Sequence, residues 1–196
     1  PISTPLPPIE LLLTVDEETG LTGAFGLEGD LIDGRTLLNL DSEDWEEFYV
    51  GCAGGGGNDI EFSFDTTNSE NTNFGFYKIA LTGLRGGHSG VDIHEGRANA
   101  IKLLARILRK LIQSGVSICS IEGGDMHNAI PRESFSTLYF DNNDREIVER
   151  IIQGMGDLFN QEFGSIEDKI KINLDPINTS EDVLTNDSGK KLVTLL

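Results

Sequence analysis

The chain has 196 residues, 38% hydrophobic and 24% charged, so one large or two small packed domains are feasible and wholesale disorder is argued against. Its formal net charge of −18 opposes binding to nucleic acid, which needs clustered Lys and Arg, and to an anionic membrane surface. Its two cysteines, Cys52 and Cys119, form no Cys-x-x-Cys or Cys/His cluster, which excludes a zinc finger or disulfide scaffold and fits a reducing compartment.

Residues 1–8 (PISTPLPP) are Pro-rich and predict an extended linker or cut end. Ile9 to Val15 predicts a short buried strand that runs into three acids, Asp16, Glu17 and Glu18. Leu21 to Leu31 predicts a short helix, against the opposition of Gly23, Gly26 and Gly29. Thr36 to Asp44 (TLLNLDSED) again runs from apolar residues into acids. Two strands that end on carboxylates predict a site at the carboxyl edge of an open α/β sheet. Gly54 to Gly57 predicts a bend or hinge and puts a domain boundary near residues 50–57.

A regular pattern follows. Residues 74–84 (FGFYKIALTGL) alternate as a strand. Residues 92–115 predict the longest helix, with Ile93, Ala100, Ile101, Leu104, Leu108, Leu111 and Ile112 at helical spacing, Asp92 as its N-cap and Gly115 as its C-cap. Residues 116–124 and 134–141 predict strands. Residues 143–164 predict a second helix with Ile147, Ile151, Ile152, Met155, Leu158 and Phe159 inward, and KIKINLD predicts a last strand. The order β-α-β-β-α-β is that of a ferredoxin-like domain, so the predicted class is α/β of the α+β kind. A further helix is predicted to start near Lys190. No apolar run reaches the roughly 18 residues of a membrane helix, and no secretory signal is visible.

Several side chains carry chemistry, each beside a plainer possibility. In an extended segment Glu17 and Glu18 point to opposite sides, so one can bind a metal while the other faces a water; an acidic surface turn is the plainer account. Asp41 follows an apolar run 23 positions after Glu18, the spacing of neighbouring parallel strands joined by a helix. His88 in LRGGHSG is flanked by glycines that leave its ring accessible, or it is a loop histidine without a role. Asn128 in HNAIPRE sits on a loop stiffened by Pro131, or in an ordinary turn. The Asp92-x-His94 pair resembles a metal motif, but capping accounts for Asp92 better.

The stretches TVDEETGLTGAFGL, NLDSE, YVGCAGG, GLRGGHSGVDIHEGRANAIKLLARIL and NAIPRE together resemble the aminoacyl-histidine dipeptidases, Xaa-His dipeptidases of the di-zinc aminoacylase and carboxypeptidase superfamily. The resemblance covers most of residues 9–175. It implies a catalytic α/β domain holding two metal ions, into which a ferredoxin-like lid is inserted. It assigns Glu17 as general base, Glu18 and Asp41 as metal ligands, and His88 and Asn128 as substrate-binding residues. The implied cofactor is zinc, two ions per complete site, with cobalt or manganese as alternatives. The implied partners are a dipeptide substrate and a second copy joined through the lid, with no nucleic acid and no membrane, and the implied compartment is the cytoplasm.

The pattern departs from the family in what it lacks: the His-x-Asp ligand motif, the bridging aspartate, the final histidine ligand and the arginine for the substrate carboxylate, a role that Arg132 does not take over. The resemblance therefore implies an internal segment: residues 1–53 from the first half of the catalytic domain, 54–180 the lid, and 181–196 the start of the second half. A non-catalytic module for dimerisation and substrate recognition, or a related tripeptide aminopeptidase or acyl-amino-acid deacylase, is the alternative.

Overall fold

The computed structural model describes residues 5, 7–40, 45–51, 54, 56–68 and 71–196. It divides into two compact units, Pro1–Asn58 and Asp59–Leu196.

In the first unit, α1 (Glu17–Gly20) and α2 (Thr22–Phe25) are consecutive single turns. Asp16 and Leu21, on either side of α1, have left-handed backbones with φ of 64° and 58°. The predicted strands at Ile9–Val15 and Thr36–Asp44 do not form among the described residues, and Asp41 to Asp44 lie outside them. Leu11 and Leu13 are 85% and 90% exposed, and Leu37, Leu38 and Leu40 are exposed too. The physical reason is that a strand needs a neighbour to take its N–H and C=O groups, and the described residues of this unit contain no strand. The Glu10 carboxylate instead ties the segment to a loop, accepting from Gly34 N at 2.6 Å and Asp33 N at 3.2 Å.

The second unit holds β1 (Thr66–Thr67), β2 (Phe74–Thr82), β3 (Gly87–His88), α3 (Ala100–Gln113), β4 (Ser117–Gly123), β5 (Ala129–Ile130), β6 (Ser134–Asp141), α4 (Arg145–Phe163), β7 (Lys171–Ile177), β8 (Val183–Leu184) and α5 (Asn186–Leu195). The main sheet has the order β4-β6-β2-β7, with every neighbour antiparallel. With α3 and α4, this is the ferredoxin-like β-α-β-β-α-β arrangement that the alternating periodicities predict.

The sheet alternates sides as a strand must. Ile79 and Leu81 of β2, Leu138 and Phe140 of β6 and Ile118 of β4 form one core with Leu104 and Leu108 of α3 and Val148, Ile152 and Phe159 of α4. On the other face Phe74 and Phe76 flank Tyr139, with ring centroids 5.1 and 4.9 Å away, and the Lys78 ammonium lies 4.7 Å from the Phe135 ring centre. The β4–β6 register shifts between Ile118 and Ser120, at Cys119. Burial, and then the Glu181 charge, push the Cys119 thiol up to about 12, which disfavours the reactive thiolate form.

Three expectations change here. The long helix begins at Ala100, not near Asp92, because Gly96 turns left-handed (φ 68°) and Asn99 is the true N-cap, its side chain accepting from Lys102 N at 3.2 Å. Ile93 is left exposed on a short 3-10 turn. On α4 the buried stripe is Val148, Ile152, Met155 and Phe159, while Ile147 and Leu158 face solvent, because the stripe turns one residue away from the predicted one.

The two ends of this unit are joined. β1 pairs antiparallel with β8, Thr66 opposite Leu184 and Thr67 opposite Val183. Asp65 N donates to Ser188 Oγ at 2.9 Å, and Thr185 N donates to Asp65 O at 3.0 Å. Residues 183–196 thus pack with the sheet domain, where α5 lies against α3.

One surface pair gives a pH prediction. Arg106 of α3 makes two 2.7 Å hydrogen bonds to the Glu162 carboxylate of α4, and its guanidinium sits 4.8 Å from the Phe159 ring centre. The hydrogen bond from Arg106 holds the Glu162 carboxyl below the usual range. A lowered folded pKa stabilises the fold above the unfolded carboxylate value of about 4.3, and that contribution fades as pH falls through the folded value. Both side chains are more than a third exposed, so solvent and salt screen the pair and the effect is small. Urea melts between pH 3 and 7, a range spanning that value, should show a shallower acid-side loss of stability in Arg106→Ala than in the parent chain at low salt. Superimposable profiles would remove the pair from the account.

Among the described residues no helix is long and apolar enough to cross a membrane.

Candidate functional site

In the first unit the acid pair sits on a helical turn, not an extended segment. Glu17 and Glu18 are the first two residues of α1, so the backbone there is helical and the extended geometry expected for the pair is not formed. The Glu17 side chain is exposed. Thr22 Oγ1 donates to Asp16 Oδ2 at 2.6 Å, Leu21 N to Asp16 O at 2.8 Å and Gly23 N to Val15 O at 3.2 Å, closing the turn on itself. Asp41 lies outside the described residues. Among the described residues no group of three His, Cys, Asp or Glu is placed to hold a metal ion.

In the second unit the structure brings His88 and Asn128 together although 40 positions separate them. β3 pairs antiparallel with β5, Gly87 opposite Ile130 and His88 opposite Ala129. Ser89 N donates to Asn128 O at 2.8 Å, so the asparagine and histidine loops are joined through backbone. The His88 side chain is exposed and Asn128 is half-buried. Arg132 and His127, near Asn128 in sequence, are exposed.

The His88 ring is oriented by its own loop. Its Nδ1 accepts from Gly90 N at 3.0 Å and from Val91 N at 3.1 Å. A ring nitrogen that accepts carries no proton, so the proton of the neutral imidazole is on Nε2. Nε2–H is then a donor without a partner among the described residues. A donor held in a fixed direction on a rigid ladder suits an oxygen that becomes negative during a reaction.

Sequence reasoning missed the residue that anchors this loop. Glu167, 1% exposed, sends one carboxylate oxygen to Arg85 N at 2.8 Å and the other to Ala98 N at 3.0 Å. Those amides lie at the two ends of the His88 loop, one after β2 and one before α3. The only trace in the sequence is an acid following an isoleucine in GSIEDKI, which no periodicity distinguishes from a surface residue.

Residues 79–167 match the peptidase dimerisation domain. The chain is 35% identical over 193 residues to the cytosol non-specific dipeptidase of Escherichia coli strain K12, covering 96% of this chain and 39% of that protein. The crystal structure of an aminoacylhistidine dipeptidase from Vibrio alginolyticus superposes with a TM-score of 0.73 at 33% identity, over 92% of this chain and 37% of that one. The chain thus spans about two fifths of the length of the relatives it matches.

Proposed function

From the match of residues 79–167 to the peptidase dimerisation domain we propose that this chain is the lid-centred part of a zinc-dependent dipeptidase that cuts Xaa-His dipeptides in the cytoplasm as a homodimer. The observation that carries the reading is the exposed His88 imidazole, its Nδ1 occupied by two backbone amides, in a loop whose Ser89 N bonds Asn128 O. The two relatives named as dipeptidases support it.

In this reading Glu17 is the general base. Its exposed carboxylate takes a proton from the attacking water and later hands it to the leaving amine. His88 donates Nε2–H to the carbonyl oxygen as that oxygen becomes an anion, and the Asn128 amide holds the substrate on the same ladder. Residues 54–180 form the lid and the homodimer contact. Residues 1–53 and 181–196 flank it as parts of the catalytic domain. The ladder between β1 and β8 supports this, since a domain inserted into another has its two ends side by side. The apolar runs at Leu11–Leu13 and Leu37–Leu40, open to solvent here, suit strands that lie against neighbours in the whole protein.

The described residues alone do not fit a resident zinc ion, because no three potential ligands gather among them and zinc binds about four. The two zinc ions of this proposal take Glu18 and Asp41 as ligands together with others outside the described residues. The same observation favours a second reading, a module that recognises substrate and pairs subunits without catalysis.

The two are separated by His88→Ala in the whole protein, assayed with zinc and a dipeptide ending in His. Loss of an oxyanion donor costs about 10²- to 10³-fold in kcat. A variant within a few-fold of the parent would end the role given to His88. A whole protein that binds the dipeptide and leaves it uncut would establish the module.

A further inference from the structure

We infer that Asp92 and Arg97 are positioning residues for His88, holding its loop so that the ring keeps one tautomer with Nε2–H facing outward. The inference rests on the reading that His88 acts through Nε2–H, and it concerns residues to which that reading gives no part.

The geometry is a closed set of bonds. His88 N donates to Asp92 Oδ2 at 2.8 Å, and Asp92 N donates back to His88 O at 3.0 Å. Residues 88–92 are therefore pinned at both ends of one turn. Within it lie Gly90 N and Val91 N, the two amides that donate to His88 Nδ1. If the turn opens, those amides leave the ring, and nothing then selects between the Nδ1–H and Nε2–H forms.

Arg97 fixes the turn to the rest of the loop. Its Nη1 donates to the same Asp92 Oδ2 at 3.0 Å and to Gly86 O at 2.7 Å, while Nε and Nη2 reach Glu95 Oε2 at 2.8 and 2.7 Å. Its side chain is 13% exposed and its bonds to Asp92 and Gly86 are part-buried, so the planar guanidinium is held in one orientation. A second observation is steric. Gly87 has φ of 145°, and a Cβ there would run into the Arg97 guanidinium and the Asp92 carboxylate. The glycine before the histidine is thus required by the clamp itself, which packs against bare backbone. Capping, the role the sequence suggests for Asp92, is absent: no helix amide bonds its side chain.

The test reads the ring directly. Long-range ¹H–¹⁵N spectra of this 196-residue chain should show one protonated and one unprotonated ring nitrogen for His88, with Nδ1 the unprotonated one. In Asp92→Ala the two signals move toward each other as tautomers mix, and the Gly90 and Val91 amide signals shift. Asp92→Asn keeps an acceptor for His88 N–H and restores the single tautomer. Arg97→Gln, which leaves Asp92 in place without its clamp, gives intermediate mixing and stands in if Asp92→Ala does not fold.

Ring signals in Asp92→Ala or Arg97→Gln identical to the parent would overturn the inference, as would an Asp92→Asn variant mixed as fully as Asp92→Ala. A loss of melting temperature without tautomer mixing would show the clamp to be merely structural. The functional reading fails separately. If the ring behaves as described but His88→Ala keeps full activity in the whole protein, the positioning stands and the role of Nε2–H does not.

Discussion

Glu17→Ala in the whole protein is expected to lower kcat for dipeptide hydrolysis by about 10²- to 10⁴-fold, the range for removing a general base, while zinc stays bound. The expectation comes from how the residue is held. Glu17 opens a four-residue helix whose neighbours on both sides, Asp16 and Leu21, are non-glycine residues with positive φ. Such backbones cost of order 1–3 kcal/mol each and persist where the surroundings impose them, often at functional sites. Here the surroundings are the Thr22 hydroxyl on Asp16 and the amides of Leu21 and Gly23 folded back on residues 15 and 16. The turn keeps the Glu17 carboxylate exposed, as a base that must reach a water requires. Steady-state kinetics and elemental analysis on the same preparation check it. Activity near that of the parent would sink the assignment of Glu17, and loss of zinc with loss of activity would make it a ligand instead.

Glu167→Leu is expected to destabilise the sheet domain by about 1–3 kcal/mol, because the buried Ala98 N–H loses its acceptor, and the part-buried Arg85 N–H loses the same carboxylate. Glu167 is 1% exposed and both of its oxygens are used, so leucine fills the space without replacing either bond. The substitution should also act locally. The two amides bracket residues 86–97, and hydrogen exchange in that loop should speed up more than exchange in β2 or α3. Urea melts measure the first effect and exchange measured by mass spectrometry the second. A loss under 1 kcal/mol, less than one orphaned amide costs, would mean that water reaches these groups and that the carboxylate is not what holds the loop.

The two predictions differ in what made them visible. Glu17 stands out in the sequence because three acids follow an apolar run. The account that made it interesting was nevertheless partly wrong: Ile9–Val15 is not a strand among the described residues, and the acids sit on a helical turn. Hydrophobic patterning reported that the segment is apolar but not whether a neighbouring strand exists to receive it. Glu167 was invisible for the opposite reason. Its partners lie 82 and 69 positions away, and a carboxylate that bonds distant backbone leaves no periodic trace.

The His88 loop shows the same division. Its glycines and histidine are legible as an accessible motif. That His88 meets Asn128, that Asp92 bonds His88 N rather than capping a helix, and that Arg97 ties both to Gly86 all depend on how β3 finds β5 and where Gly96 turns the chain. Asp92 and Asn99 are equally good caps by composition. The choice of Asn99 follows from the left-handed turn at Gly96 between them.

By itself the sequence determined the alternation of strand and helix from Phe74 to Ile177, the residues that fill most of the core and the identity of the chemical side chains. These follow from periods of 2 and 3.6 residues and from side-chain type, which are local properties of the chain. The tertiary structure alone decided where the first long helix begins, which ring nitrogen of His88 carries the proton and which buried carboxylate closes its loop. Each of those depends on a hydrogen-bond partner that only the folded backbone brings within about 3 Å.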